Sequence, residues 1–517
     1  MATTERVGLE QLDDYVLDGK FHDATETFCR LAVGGHDIGD LVTRVMATAA
    51  PYLHVPAHEK LLPSGEFRNV NYDHTILGIR AGMRLAPYLS PVERHLPLVQ
   101  GIYYVPQGLD VWAQLECGFP GHYAREQERC PEEAIGHQLT CHFADQEPLL
   151  DGSVEERFQR MFHALTRGDK VTSYRIFLGL AARPELRRRL QDTLLFAAVI
   201  DQQEYNSFRR VRHIGHKAIR TRSMFDVADW LGWERAHPVF YIGVPDICNA
   251  PIFHSLYDHA SVLLGVAFKG QQYDLVRRNT TPLAEAEQDR FVGQILEGDP
   301  EAVAAAITEL LRQGRAVQSI ADTVMIAHAT HCVTRLRAPI AYTVPTHSFD
   351  YANAVNYWLR NFENPHQAKA VYLAAWFVTD TIREVDTYPD APDVARPDPA
   401  SRRPWADGLG LPQVLAELET AVAAQDPSSA VALVRSYVGR TGERDRLIGM
   451  LAHCAGKFQG DAHIFRNARS VMEEYYLNGA SERRKGVLFE YWAHFLSFYK
   501  KRTLATDCYE MYHRYFV

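Results

Sequence analysis

Four histidines stand at corresponding points of four loosely similar stretches: His74 in NYDHTILGIRAGM, His216 in HIGHKAIRTRSMF, His347 in PTHSFDYANAVNYW and His463 in DAHIFRNARSVMEE. Neutral imidazole is a strong ligand for iron, copper, nickel or zinc, and four rings converging inside a helical shell would hold one ion. An all-histidine set with an open position suits redox or Lewis-acid chemistry. The plainer alternative is structural, with each ring hydrogen-bonded to a helix end or turn of its own copy.

Further imidazoles lie at helical spacings around this set. His328 and His331 are three apart, as are His213 and His216, and His54 and His58 are four apart. Each pair shares a face if its segment is helical. His453 falls near His328 in the repeat register, and Asp201 takes the place of His331 in copy two. With Asp350, three residues after His347, these groups would complete the ligand set, build a second metal site or hold ring tautomers from outside. Surface or partly buried helix histidines are the ordinary alternative. Asp73 and Asp461 read first as helix caps. A separate group at Cys117, His122, Cys130, His137, Cys141 and His142 lacks the paired C-x2-4-C spacing of a zinc knuckle, which favours unpaired thiols.

The elements that must position these rings are helices. VAAAITELLRQG places Val303, Ile307 and Leu310-Leu311 at helical spacing and closes at Gly314. IADTVMIAHATHCV and NAVNYWLRNF follow the same period, and AKAVYLAAWFV is apolar nearly all round, the mark of a buried helix. Alternating strand patterns with hairpin turns are scarce. Gly19, Gly35 and Val45-Met46 recur 279 residues on as Gly298, Gly314 and Val324-Met325. His74 recurs after 273 residues as His347, and both His347 and Trp376 recur after 116, as His463 and Trp492. In copy two, ERAHPVFYIGVP echoes ERHLPLVQGIYYVP of copy one.

An all-α fold follows, of four similar helical repeats of about 100 residues around a common His-lined core. The repeats are expected at 10–142, 157–285, 288–386 and 409–517. Each should have three to four helices, with its histidine near the start of the third. Residues 387–408 carry five prolines and read as a linker.

Composition sets the outer bounds. With 517 residues, 46% hydrophobic and 23% charged, the chain is long enough for two or more cores. A net charge of −9 without a basic stripe argues against nucleic acid. No apolar run approaches the roughly 20 residues of a membrane span, and the first residues lack a signal-peptide pattern. Eight scattered cysteines form no disulfide framework, so a cytoplasmic location is expected. The 23 histidines are about twice an average share. No G-x-G-x-x-G after a strand, P-loop, H-E-x-x-H or G-x-S-x-G motif is present.

The segments THSFDYANAV, AVYLAAWFV and GHKAI resemble the large helical domain that some bacterial proteins carry fused to a Rieske ferredoxin domain. More distantly, the chain resembles questin oxidase-like proteins, which oxygenate aromatic polyketides. The resemblance bears directly on His216 and His347, while His74 and His463 follow through the internal repeat. It implies a metal-dependent oxidoreductase, a non-haem iron oxygenase or oxidase acting on a small organic substrate, aromatic or polyketide-like, in a buried His-lined pocket. Tyr72, Tyr351, Trp376 and Trp492 are candidate walls of that pocket. The C-x-H and C-x2-H pairs of a Rieske cluster are missing here, so electrons would come from a separate electron-transfer partner or from the substrate. A zinc hydrolase or isomerase, a haem protein with two of these histidines as axial ligands, and a non-catalytic helical scaffold are the competing readings.

Overall fold

The computed structural model describes residues 2–53, 59–61, 67–69, 74–117, 147–201, 215–248, 254–336, 343–386, 397–459, 462–498 and 503–517. Among them are twenty-four α-helices and one short antiparallel hairpin, Glu59–Leu61 with Phe67–Asn69. The fold is all-α, as the periodicity requires. No helix among the described residues is long and apolar enough to cross a membrane.

The chain divides into two compact units. Unit 1 comprises residues 1–86, 95–253 and 507–517, and unit 2 comprises residues 87–94 and 254–506. Each holds two successive runs of five helices. Unit 1 has α1 (Ala2–Leu17), α2 (Phe21–Val33), α3 (Ile38–Leu53), α4 (His74–Leu85) and α5 (Leu96–Cys117). Its second run is α6 (Val154–Arg167), α7 (Lys170–Ala181), α8 (Arg187–Ile200), α9 (His216–Leu231) and α10 (His237–Asp246). Unit 2 opens with α11 (Ser255–Phe268) and the single turn α12 (Leu275–Arg278). Its first run is α13 (Glu285–Glu297), α14 (Pro300–Arg312), α15 (Val317–Arg335), α16 (Thr343–Asn361) and α17 (Gln367–Val385). After α18 (Pro399–Gly408) come α19 (Leu411–Ala423), α20 (Pro427–Arg440), α21 (Asp445–Cys454), α22 (Ala462–Leu477) and α23 (Glu482–Phe498). The last helix, α24, spans Thr503–Phe516.

Every run joins its first and second helices by the same tight turn. Gly19, Gly168 and Gly298 adopt left-handed φ of 67°, 79° and 73°, and in the fourth run Gln425 does so at 58°. An aspartate follows in three of them: Asp169, Asp299 and Asp426 cap the next helix through their side chains. Glycine takes this conformation without the Cβ clash that Gln425 must bear.

Helix contacts recur as well. In all four runs the first helix packs on the second and third, the second on the fifth, and the fourth on the fifth. Within each unit the two runs interlock: fourth helix meets fourth helix (α4 with α9, α16 with α22), and the third helix of one run meets the fifth of the other (α3 with α10, α15 with α23). The core of unit 2 buries Trp358, Trp492, Tyr351, Tyr372, Tyr437 and Tyr491 almost completely. Side chains of that size each remove some 150–250 Å2 from water, so they dominate the packing free energy.

One expectation needs correction, and two features bear on the expected boundaries. Among the described residues each run contains five helices, with the histidine at the start of the fourth, because short Gly turns divide what reads as one long periodic segment. The expected linker 387–408 includes a helix, α18, where Pro399 sits at the first helical turn and needs no amide donor. By its contacts α11 falls in unit 2 and residues 507–517 fall in unit 1.

Candidate active site

In unit 2, the pairing of α16 with α22 brings two of the four repeat histidines together. His347 is the fifth residue of α16 and His463 the second of α22. Their ring centroids lie 5.1 Å apart with planes at 65°. His347 is buried and His463 half-buried. One turn further along the same two helices, Asp350 and Arg466 form an ion pair whose side chains are each 1% exposed. Arg466 Nη2 also donates to Thr346 Oγ1 at 3.4 Å, and Asn467 Nδ2 donates to Asp350 Oδ1 at 3.4 Å.

Tyr491 of α23 closes this group. Burial holds its phenol far above the ordinary range, the neighbouring Cys332 and Asp350 push it the same way, and Asn467 and Arg466 oppose them. His328 of α15 lies behind, its Nε2 2.7 Å from Ser348 Oγ and its ring edge-on to Phe349 and Tyr491. Burial, then the nearby His331, pushes its pKa down to about 3, so the ring is neutral at physiological pH. Two imidazoles thus meet one turn from a buried, hydrogen-bonded ion pair.

The other sequence candidates find partners elsewhere. His331 Nε2 lies 3.2 Å from Asp386 Oδ1. His453 sits between Glu93, at 3.0 Å, and Glu419, at 3.3 Å; burial alone would lower its pKa, but the two carboxylates win and raise it. The Asp350 carboxylate is engaged by Arg466 and Asn467. Trp376 donates to Pro300 O at 3.2 Å and packs on Tyr372 and His259, Tyr351 packs on Phe377, and Trp492 is fully buried. Among the described residues no group of three or more His, Cys, Asp or Glu is disposed to hold an ion. At His347 and His463 the described residues bring together two imidazoles and no third donor.

Unit 1 repeats the helix pairing with different chemistry. His74 opens α4 and His216 opens α9, and His216 is buried. Around α9 lies a series of buried ion pairs: Lys217 with Asp201, Arg220 with Asp246 at 2.5 Å, and Arg222 with Asp226. Arg80 of α4 reaches the same Asp226 at 2.6 Å and Arg84 reaches it at 3.2 Å. Asp201, which stands in the place of His331 in the repeat register, pairs with Lys217. In unit 2 the corresponding carboxylate is Glu474 of α22, held by Asn353 at 2.9 Å, Asn356 at 3.0 Å and Arg360 at 2.9 Å, with Arg360 also on Asp322 at 2.7 Å.

His54, His58, His213, Tyr72, Asp73, Asp461 and the histidines and cysteines of 122–142 lie outside the described residues, as do the side chains of His74 and Cys117. Sequence reasoning missed Arg466 and Lys369, the first within a mixed polar helix and the second as one cation inside an apolar one. Compared with known proteins, the chain matches no family model, no curated protein and no solved structure.

Proposed function

We propose that this chain is an oxidoreductase acting on a small organic substrate at the His347–His463 pair of unit 2, with non-haem iron as the ion those imidazoles hold. One observation carries the reading: two equivalent repeat positions place their rings 5.1 Å apart, beside the buried Asp350–Arg466 ion pair. Iron there would supply the one-electron chemistry and the site for dioxygen that no side chain offers. Arg466, held in place by Asp350, puts a buried cation one turn from the imidazoles, where it can orient an oxygen of the substrate. Tyr491 keeps its proton because burial disfavours the phenolate. Phe349 and Tyr491, packed 4.8 Å apart, help to keep water out.

The resemblance of GHKAI and THSFDYANAV to helical domains fused to Rieske ferredoxin domains supports the same class, and a separate electron-transfer partner and a cytoplasmic location belong to the proposal. His74 and His216 are the corresponding proposed pair of unit 1. The test is elemental analysis with visible and electron-spin spectra on purified wild type, His347→Ala and His463→Ala, with His331→Ala as control. Loss of about one equivalent of iron in the first two variants alone is expected. Zinc in place of iron would move the reading to a hydrolase or isomerase, and a haem spectrum to a haem protein. Metal content indifferent to both substitutions would end it in favour of a scaffold.

A further inference from the structure

A second reactive group lies at the far end of the α16–α17 hairpin, fourteen residues and roughly 20 Å along α16 from His347. Lys369, 4% exposed, is the third residue of α17. Its Nζ donates to Tyr257 Oη at 3.1 Å and lies 3.2 Å from His366 Nδ1, while Tyr257 Oη is 2.8 Å from the same nitrogen. The amine also sits over two aromatic faces, 4.6 Å from the Tyr257 centroid and 5.4 Å from that of Tyr273.

What distinguishes this lysine is the character of its partners. Among the described residues no carboxylate comes within ion-pair distance of it, whereas Lys217, Lys457 and Lys485 each have one. The carboxylate that acts on it, Asp258 of α11, is exposed, and on the neighbouring segments Asp274 faces the cleft while Arg277 and Glu363 pair with each other at 2.7 Å. Its place in the first turn of a nineteen-residue helix sets the ammonium against the positive end of the helix dipole. Burial lowers the amine pKa, with Asp258 opposing. Burial, then the charge of Lys369, takes His366 down to about 4, which leaves its ring a proton acceptor. Tyr273, 47% exposed, touches the amine with its ring and also lines a cleft of about 240 Å3 together with Asn364, Pro365 and Gln367. That volume suits a compound of a few heavy atoms.

We propose that Lys369 is a nucleophilic amine that condenses with a small aldehyde or ketone entering past Tyr273, with Tyr257 and His366 relaying the protons. The nitrogen lone pair forms a bond to the carbonyl carbon, and the carbonyl π pair moves to oxygen, which takes a proton from the nitrogen through the relay. The hydroxyl then leaves with a second proton as water, and the C=N bond of an imine remains. Amine and carbonyl are the only reactants, water is the only other product, and no oxidant or reductant is consumed. This site stands independently of the His347–His463 reading.

The experiment uses the intact chain at pH 7.5 with propionaldehyde and cyanoborohydride, which reduces an imine to a stable propyl-amine, followed by peptide mapping over time. Lys369 should be alkylated at least about fivefold faster than Lys485, whose amine is ion-paired with Glu482 at 2.6 Å. In guanidinium the two lysines should react alike. A Lys369 rate no greater than that of Lys485 would overturn the proposal, and so would a preference that survives in the unfolded chain, since it would then owe nothing to the fold.

Discussion

Units 1 and 2 use one arrangement of helices for two different interiors. In each, the fourth helices of two runs pack together and a carboxylate from the second run is gripped by the first. Unit 1 grips Asp226 with the cations Arg80, Arg84 and Arg222, while unit 2 grips Glu474 with two amides and Arg360. At the histidine end, α9 presents Lys217 and Arg220, each on its own aspartate, but α16 and α22 present imidazoles and a single buried ion pair. The fold therefore sets where polar groups meet, and the residues at those positions set the local charge. Among the described residues, the second interior brings two imidazoles together.

The sharpest way to break this comparison is to neutralise each carboxylate. Asp226→Asn deprives three arginines, two of them buried, of their shared partner, and should cost about 3–5 kcal/mol in denaturant unfolding. Glu474→Gln leaves Arg360 still on Asp322 and should cost about 1–3 kcal/mol. Equal losses would mean that the number of cations is irrelevant.

Acid should separate the units further. His328 and His494 of unit 2 are both pushed down to about 3 by burial. Between pH 6.5 and 3 the unfolded chain binds protons on these rings that the folded chain does not. Stability therefore falls as pH falls through that window, by of order 4–5 kcal/mol for each ring. His453 has the opposite sign: its folded pKa is raised, so its contribution is complete below pH 6.5 and is lost as pH rises through the folded value. Amide exchange at pH 4 should accelerate in α15 and α23 before it does in unit 1.

The smallest test concerns the turn that both units share. Gln425→Gly should raise stability by about 1 kcal/mol, and Gly298→Ala should lower it by a similar amount, read from the denaturation midpoint.

Much of the fold was legible in the sequence. Val303, Ile307 and Leu311 are buried at the spacing their period demands, and Gly314 follows the end of α14 with φ of 75°. AKAVYLAAWFV is buried throughout, as its composition implies. The number of helices was less legible, because a turn such as Gly298-Asp299 breaks a helix without interrupting the apolar count. Of the site, the meeting of His347 and His463 could be anticipated from the repeat alone. The ion pair of Arg466 with Asp350 could not, since it joins residues more than a hundred positions apart whose spacing carries no period. Lys369 was hidden for the converse reason: one cation scarcely alters the hydropathy of an apolar helix.

The crossing of third and fifth helices between runs has a consequence for how such a chain can arise or be cut. A fragment ending after one run would leave α3 or α15 with a bare greasy flank and no neighbour to cover it. Such a fragment would stick to others of its kind or exchange segments with them. The smallest piece able to live alone, and hence to be duplicated as a going concern, is a matched couple of runs.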